Sequence, residues 1–177
     1  MFKYVCFLRA VNVGGKNRIV MNELKLLFEN LGFESVETFI QSGNVKFTSF
    51  SDNTDYLSEL IQTSILEKFS LNIICMILTT NDLNKISTNV PLNISENMDE
   101  NNIYVGILSG RPENEKVSKL ILLDYSPDKI IYNDGVLYLY VSNSFSNSKF
   151  TGKLIEKVLE RYVTFRKFTV LKKLTDK

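Results

Sequence analysis

The segment Phe7–Arg18, with the sequence FLRAVNVGGKNR, joins an apolar strand pattern to a loop rich in glycine, amide and basic side chains. From Tyr4 to Val11 the two alternating sets of side chains are apolar except at Arg9, which is typical of a central strand covered on both faces. Two glycines then free the backbone, and a helical pattern begins at Met21. The segment therefore predicts a buried first strand, an irregular loop and a helix.

The order of predicted elements then occurs twice along the chain. Each half reads strand, helix, strand, strand, helix, strand, with strands expected over 4–11, 35–40, 45–48, 71–78, 103–108, 129–132, 136–141 and 162–170. This order most often folds as a ferredoxin-like split βαβ sandwich, and the right-handed crossover rule leaves few alternatives. We predict an α+β protein of two ferredoxin-like βαββαβ subdomains packed into one compact body, since helices cover one face of such a sheet and the first strand needs cover on the other.

The expected boundaries are 1–78 for the N-terminal subdomain, 79–101 for a helical and polar linker, and 102–177 for the C-terminal subdomain. The linker pattern predicts a short helix over 80–90, stopped by Pro91, and a polar loop over 93–102. The sequence Asn133-Asp134-Gly135 predicts a type I′ hairpin turn. A basic tail is expected after the last strand.

Two polar loops are expected at the same edge of the first sheet. In a split βαβ unit the first and second strands run the same way, so the loops that leave their C-terminal ends become neighbours. The N-terminal subdomain carries both loops, and we predict a ligand-binding site there. Its candidate residues are Arg9, Asn12, Gly14, Gly15, Lys16, Asn17, Gln41, Ser42, Gly43 and Asn44.

The chemistry of these loops suits recognition more than catalysis. Backbone N–H groups around Gly14 and Gly15, at the start of a helix, form a nest of the kind that attracts anions, and Lys16 and Arg18 add positive charge. Side-chain amides supply paired donors and acceptors suited to a sugar, a base edge or another amide. The alternative is structural: the glycines turn the chain, the amides cap it and the charges are solvated. Neither a Walker motif nor a dinucleotide-binding glycine motif is present.

Composition excludes several functional classes. The chain has no histidine, which removes Ser-His-Asp and Cys-His catalysis and most zinc sites. We expect no metal site, and the sequence identifies no cofactor. Cys6 and Cys75 lie in apolar runs and are expected to be reduced and buried on adjacent central strands. The net charge of +1 argues against a protein that mainly coats nucleic acid.

Other polar residues support weaker alternatives. Glu23 and Glu37 are the acids nearest the loops and are expected to be exposed, and Ser42 has only Lys16 as a nearby base. A basic C-terminal region is explained by a solvated helix face or by a weak nucleic-acid surface. It consists of Lys149, Lys153, Lys157, Arg161, Arg166 and Lys167.

The quoted segment, followed by Gln41-Ser42-Gly43-Asn44-Val45, resembles a bacterial family filed as domain of unknown function sixteen ninety-seven. Members open with F-L-R-G-I-N-V-G-G-K-N and continue to T-Y-I-Q-S-G-N-V. This chain has Ala10 where the family usually has glycine and Phe39 where it has tyrosine. The segment 148–157 also resembles the family, whereas 164–170 is shorter and lacks the family's tryptophan and asparagines. The resemblance implies two ferredoxin-like subdomains and brings no established activity.

Three functions remain open from the sequence. The favoured one is a binding module for a small anionic or nucleotide-like ligand at the edge formed by the loops 12–18 and 41–44. The alternatives are an enzyme acting on a phosphorylated or nucleotide-like substrate, and a nucleic-acid or protein interaction module. No signal peptide or bilayer-spanning run is evident, so a cytoplasmic location without membrane attachment is expected.

Overall fold

A computed structural model of the chain describes residues 1–91, 94 and 99–175. The chain divides into two units, Met1–Leu83 and Asn84–Lys177. Each unit contains one four-stranded sheet in which every pair of neighbouring strands is antiparallel.

The first unit follows the predicted order of elements. They are β1 (Phe2–Leu8), α1 (Met21–Asn30), β2 (Glu34–Phe39), β3 (Asn44–Ser49), α2 (Thr54–Phe69) and β4 (Cys75–Thr79), followed by α3 (Thr80–Thr88), which spans the division between the units. The strands are arranged β2-β3-β1-β4. Because β3 lies between β1 and β2 and is antiparallel to both, β1 and β2 end at the same edge of the sheet.

The second unit repeats this arrangement. Its elements are β5 (Ile103–Leu108), α4 (Asn114–Ile121), β6 (Lys129–Asn133), β7 (Val136–Tyr140), α5 (Gly152–Leu159), β8 (Val163–Lys167) and α6 (Phe168–Thr175), with short 3-10 turns at 100–102 and 145–147. The strands are arranged β6-β7-β5-β8. Both units have the element order and strand order of a ferredoxin-like fold, which confirms the predicted fold class. The predicted packing of the two subdomains stays a prediction.

β1 is the central strand of the first unit, as its two-sided apolar pattern predicted. Tyr4, Cys6 and Leu8 belong to the core that the sheet shares with α1 and α2, and the side chains of the alternate positions, Val5 and Phe7, are also fully buried. A strand that is apolar on both faces buries apolar surface on both when the chain folds, which stabilises its central position in the sheet.

The two cysteines are buried on adjacent strands, as expected, but β4 is an outer strand and not a central one. Leu8 pairs with Cys75 and Cys6 with Ile77, so the thiols lie diagonally on neighbouring strands, and both cysteines are free and buried. Burial raises the pKa of the Cys75 thiol well above its ordinary value. A neutral thiol in this setting acts as a small apolar group.

Three element boundaries differ from the prediction by three residues or more. The first strand ends at Leu8 and not at Val11, because Ala10 adopts a left-handed φ of 56° that an extended strand cannot contain. The strand predicted over 71–78 begins only at Cys75. The last strand ends at Lys167, and the expected tail is the helix α6.

Capping residues and turns define the ends of several elements. Asn53 caps α2, since its side chain accepts hydrogen bonds from the backbone N–H groups of Asp55 and Tyr56. Asp134 and Gly135 have φ values of 48° and 87°, as a type I′ turn requires. Asn22 does not cap α1, because the helix begins at Met21 and Val20 occupies the capping position.

The predicted linker is described only in part. The expected helix over 80–90 is present as α3 and ends at Thr88. The expected polar loop over 93–102 includes residues 93 and 95–98, which lie outside the described part of the chain, as do residues 176–177 of the expected C-terminal subdomain. Among the described residues, none of the helices has the length and apolar character needed to cross a membrane.

Candidate functional site

The two polar loops of the first unit meet at the edge where β1 and β2 end. The side-chain nitrogen Nδ2 of Asn12 donates a hydrogen bond of 2.9 Å to the backbone carbonyl oxygen of Gln41. This contact joins loops that are 29 residues apart in the sequence. They come together because β1 and β2 run the same way on either side of β3.

Asn12 also closes the first loop on itself. Its Oδ1 accepts a hydrogen bond from the backbone N–H of Ile19, and its Nδ2 donates a second one to the carbonyl oxygen of Ile19, each at 3.0 Å. Its backbone N–H donates to the carbonyl oxygen of Asn17 at 3.2 Å. Both amide hydrogens of Asn12 are therefore used within the protein. Asn12 braces the loop and has no amide hydrogen left for a ligand.

The tip of the first loop is a tight turn whose residues, 13–16, are exposed. The backbone N–H of Lys16 donates to the carbonyl oxygen of Val13, and Nδ2 of Asn17 donates to the carbonyl oxygen of Ala10. Gly14 and Gly15 both have left-handed φ values, 57° and 76°. Glycine meets this requirement without the steric penalty that a side chain would incur.

The second loop is held by a buried amide. Asn44 is fully buried, and its Nδ2 donates to the carbonyl oxygen of Phe39 and to Oγ of Ser42, each at 3.0 Å. The carbonyl oxygen of Gly43 accepts a 2.8 Å hydrogen bond from the backbone N–H of Leu8. Asn44, Ser42 and Gly43 thus fix the turn to the end of β1.

Ile40 stands out in the second loop because a β-branched residue rarely adopts a left-handed backbone. Its φ is 52°, and its side chain is 48% exposed. Such a conformation is strained for isoleucine, and strained residues cluster at binding and catalytic sites. Ile40 directly precedes Gln41, so the strain lies where the two loops meet.

A cleft lies between the two loops and the start of α1. We call it the loop cleft; its volume is about 580 Å³, within the range of small-molecule sites. It is lined by Asn12, Gly15, Arg18, Ile19, Val20, Met21, Asn22, Glu23 and Gln41.

Three of the predicted site residues line this cleft, namely Asn12, Gly15 and Gln41. The other seven do not line it. Arg9 is held on the opposite side of β1, where its backbone N–H donates to the carbonyl oxygen of Ile74. The remaining predicted residues are not among the lining residues: Gly14, Lys16, Asn17, Ser42, Gly43 and Asn44.

The uncapped start of α1 adds lining residues that the sequence prediction did not name. Val20 occupies the N-cap position and makes no side-chain capping hydrogen bond. The first N–H groups of a helix have no partner within the helix, and here Met21, Asn22 and Glu23 present that end to the cleft. The signal in the sequence was an apolar residue, Val20, at the capping position, because valine cannot accept a hydrogen bond from the first N–H groups of the helix.

Arg18 and Glu23 are the charged side chains that line the cleft, and both residues are exposed. A terminal nitrogen of the Arg18 guanidinium, Nη2, lies 3.8 Å from the position that a Cβ on Gly15 would occupy. The backbone carbonyl oxygen of Glu23 accepts a hydrogen bond from Nζ of Lys68 at 3.2 Å, which ties the first turn of α1 to α2. Exposure of Glu23 and Glu37 was expected from the sequence and is confirmed.

The basic C-terminal region does not form one solvated face. Arg166 is buried within β8, where its Nη1 donates to Oγ1 of Thr164 at 2.7 Å and to the carbonyl oxygen of Phe165 at 3.0 Å. Nζ of Lys149 lies 5.7 Å from the centre of the Tyr125 ring.

Across the described ranges no group of three or more His, Cys, Asp or Glu side chains is arranged to hold a metal ion.

Comparison with solved structures shows the same fold over nearly the whole chain. The chain is similar to the conserved bacterial protein SP0830 from Streptococcus pneumoniae, with a TM-score of 0.78 and 24% sequence identity. The likeness covers 99% of this chain and 97% of that one. At this identity it supports the fold alone. No curated protein matches the sequence.

A family model extends the resemblance beyond the quoted motifs. The model described as "Protein of unknown function (DUF1697)" matches residues 1–138, which include the first unit, both loops of the cleft and the second unit through Tyr138. The match confirms the family expected from the sequence, and the chain belongs to the DUF1697 family.

Proposed function

We propose that this protein is a binding module for a small nucleotide-like ligand, with the phosphate or an equivalent anion held in the loop cleft. The observation that supports this most directly is the position of Arg18. Its guanidinium lies beside Gly15 and lines the same cleft as the uncapped start of α1.

Arg18 supplies the positive charge. Across the described residues, the Arg18 side chain makes neither an ion pair nor a hydrogen bond, and it has glycine backbone beside it. A guanidinium binds phosphate or carboxylate through two parallel hydrogen bonds. A hydrogen bond to a charged group contributes about 1.5–3 kcal/mol, so Arg18 would dominate the affinity for an anion.

The start of α1 supplies N–H donors to the same ligand. Val20 provides no acceptor for the first N–H groups of the helix, so these groups are available to a ligand anion or to water. The helix dipole adds about 0.3–1 kcal/mol for a negative charge at this end. Arg18 and the helix start line the same cleft, and only Ile19 and Val20 separate Arg18 from Met21 in the sequence.

Glu23 indicates which kind of anion is favoured. Glu23 lines the cleft together with Arg18, and its negative charge would repel a small dianion that fills the cleft. A ligand with hydroxyl groups next to its phosphate can donate hydrogen bonds to a carboxylate, which only accepts them when ionised. This arrangement favours a ribose phosphate or a nucleotide over a free inorganic ion.

Asn12 and Asn44 have a supporting role in this proposal. Their amide hydrogens are used by the carbonyl oxygens of Ile19, Gln41 and Phe39 and by Ser42. They hold the loops in position before the ligand arrives. Preorganisation of this kind raises affinity, because the loops need not be ordered on binding.

Isothermal titration calorimetry with three probes tests the proposal. Adenosine monophosphate, ribose 5-phosphate and inorganic phosphate are titrated into the full chain, and chemical-shift changes at Gly15, Arg18 and Met21 locate any binding. We expect the two sugar phosphates to bind at these residues more tightly than inorganic phosphate. Absence of binding by all three, or shifts confined to other residues, would show that the proposal is wrong.

A further inference from the structure

The second unit has an open sheet edge that differs from its counterpart in the first. β6 is the outer strand of the second sheet, in the same position as β2 in the first. β2 carries two acidic residues, Glu34 and Glu37, and its register with β3 shifts between them. Charges and bulges are the devices that protect an edge strand from pairing with another chain.

β6 lacks this protection. It pairs with β7 in unbroken register from Lys129 to Asn133, and Lys129 is its only charged residue. The type I′ turn after Asn133 makes Asn133 and Val136 a hydrogen-bonded pair, so Lys129, Ile131 and Asn133 bond to β7.

The alternate residues direct their backbone groups to the open side. By this register, the N–H and C=O groups of Ile130 and Tyr132 face away from β7. Within the part of the chain that the structure describes, they have no strand partner on that side. A row of such groups is a template for a further antiparallel strand.

The edge is flanked by exposed apolar side chains. Leu122 is 80% exposed and Ile121 is 48% exposed at the end of α4. Both line a cleft of about 430 Å³ together with Ile130 and Ile131 of β6. Apolar surface beside open backbone groups is typical of an interface, because both would otherwise face water.

We propose that β6 pairs with β6 of a second copy of this chain, so that two four-stranded sheets become one continuous sheet across a two-fold axis. The axis passes at Ile131, which faces Ile131 of the second copy. The backbone N–H and C=O of Ile130 then both form hydrogen bonds with Tyr132 of the second copy. By symmetry, Tyr132 forms the same two bonds with Ile130 of the second copy. The exposed leucine and isoleucine at the end of α4 lie beside this junction.

Charge is compatible with this self-pairing. In the two-fold register Lys129 lies opposite the neutral Asn133 of the second copy, so the lysines stand at opposite ends of the junction. Asp128 and Asp134 would meet just beyond the paired residues, but Oδ1 of Asp128 accepts hydrogen bonds of 2.9 Å from the N–H and Oγ of Ser142. Ser142 follows β7, so Asp128 is held on the side of β6 away from the open edge. The same chain is thus a complementary partner, as an isologous interface requires.

Sedimentation velocity of the full chain over a wide concentration range tests the proposal. We expect the apparent mass to double as concentration rises, and Ile131→Lys to abolish the doubling because it places two added lysines against each other. Thr38→Lys on β2 is the matched control, since both positions are half-buried on outer strands, and it should leave the dimer intact. A chain that stays monomeric, or a dimer lost with Thr38→Lys and kept with Ile131→Lys, would overturn the proposal.

Amide hydrogen exchange of the unmodified chain gives a reading that does not depend on how a variant folds. Protection of the Ile130 and Tyr132 amides should increase with protein concentration, while that of Ile131, which bonds to β7, should not. Concentration-independent exchange at Ile130 and Tyr132 would contradict pairing with a second copy. The same result would show that any dimer seen in sedimentation does not form through the open edge of β6.

Discussion

The side-chain amide of Asn12 donates a 2.9 Å hydrogen bond to the backbone carbonyl oxygen of Gln41 and so fixes one loop of the cleft against the other. Asn12→Asp keeps the acceptor for the N–H of Ile19 and removes the donors to Gln41 and Ile19. We expect the free energy of unfolding in urea to fall by about 1–3 kcal/mol, since two hydrogen bonds of about 0.5–1.5 kcal/mol each are lost. Asn17→Asp, which loses a single exposed hydrogen bond, should cost less. Equal stability of Asn12→Asp and the unmodified chain would contradict the bracing role.

Gly43 is required by contact as well as by conformation. Its φ is 70°, and a Cβ at this position would lie 2.8 Å from Cβ of Leu8, which is fully buried. Gly14, with φ 57° and open space around it, is the matched control. Both alanine variants incur the left-handed penalty of about 1–2 kcal/mol, and Gly43→Ala should lose about 1–3 kcal/mol more from overpacking. Urea unfolding of the two variants measures the difference, and equal losses would rule out the contact with Leu8.

Ala10 has a left-handed φ of 56° at a position where the family resemblance implies glycine. Ala10→Gly should therefore raise the free energy of unfolding by about 1 kcal/mol, since the left-handed penalty is removed and the added freedom of the unfolded chain offsets part of the gain. Ala10→Val should lower it. Thermal unfolding of the three proteins provides the comparison, and a loss of stability in Ala10→Gly would contradict the assigned conformation.

Tyr138 should make stability fall at alkaline pH. Burial raises the pKa of its hydroxyl to about 12, and that hydroxyl donates to the carbonyl oxygen of Ile86 at 2.9 Å. Between the ordinary pKa of 10.0 and about 12 the unfolded chain loses this proton while the folded chain keeps it. Stability supplied by Tyr138 is thus present below pH 10 and is lost as pH rises toward 12. Tyr138→Phe should flatten this decline in urea unfolding followed against pH. An unchanged slope would show that other groups cause it.

The order of elements was readable from the sequence because apolar periodicity reports which faces are buried. The two-sided pattern of β1 placed it at the centre of its sheet, and the strand order brought the two loops together. The end of the first strand could not be predicted, since neither Ala10 nor Val11 is a residue type that favours a left-handed backbone. The last helix was also missed: Phe168, Leu171 and Leu174 are buried at helical spacing, but Phe168-Thr169-Val170 has the composition of a strand.

The loop cleft lies at the sheet edge where a site was predicted, but most of the predicted residues do not line it. Asparagines at the end of a core strand look like free recognition groups. Only the structure shows that Asn12 donates its amide hydrogens to two backbone carbonyl oxygens, and that Asn44 donates to one carbonyl oxygen and to Oγ of Ser42. Arg18 belongs to the predicted loop, but the sequence does not show that its guanidinium lies beside Gly15 and lines the cleft. That position depends on the conformation of the turn around Gly15. Val20 at the helix start reads as an ordinary apolar residue until the missing cap is seen.

Titration of adenosine monophosphate into paired variants tests the central claim most directly. Arg18→Gln removes the charge in the cleft, whereas Lys25→Gln removes one on α1 from a residue that does not line it and that pairs with Glu29 at 3.7 Å. We expect Arg18→Gln to raise the calorimetric Kd about ten- to hundredfold, since each tenfold corresponds to about 1.4 kcal/mol, with urea stability unchanged. Lys25→Gln should bind as the unmodified chain does. Equal affinity of the two variants, or a larger loss in Lys25→Gln, would show that the loop cleft is not the binding site.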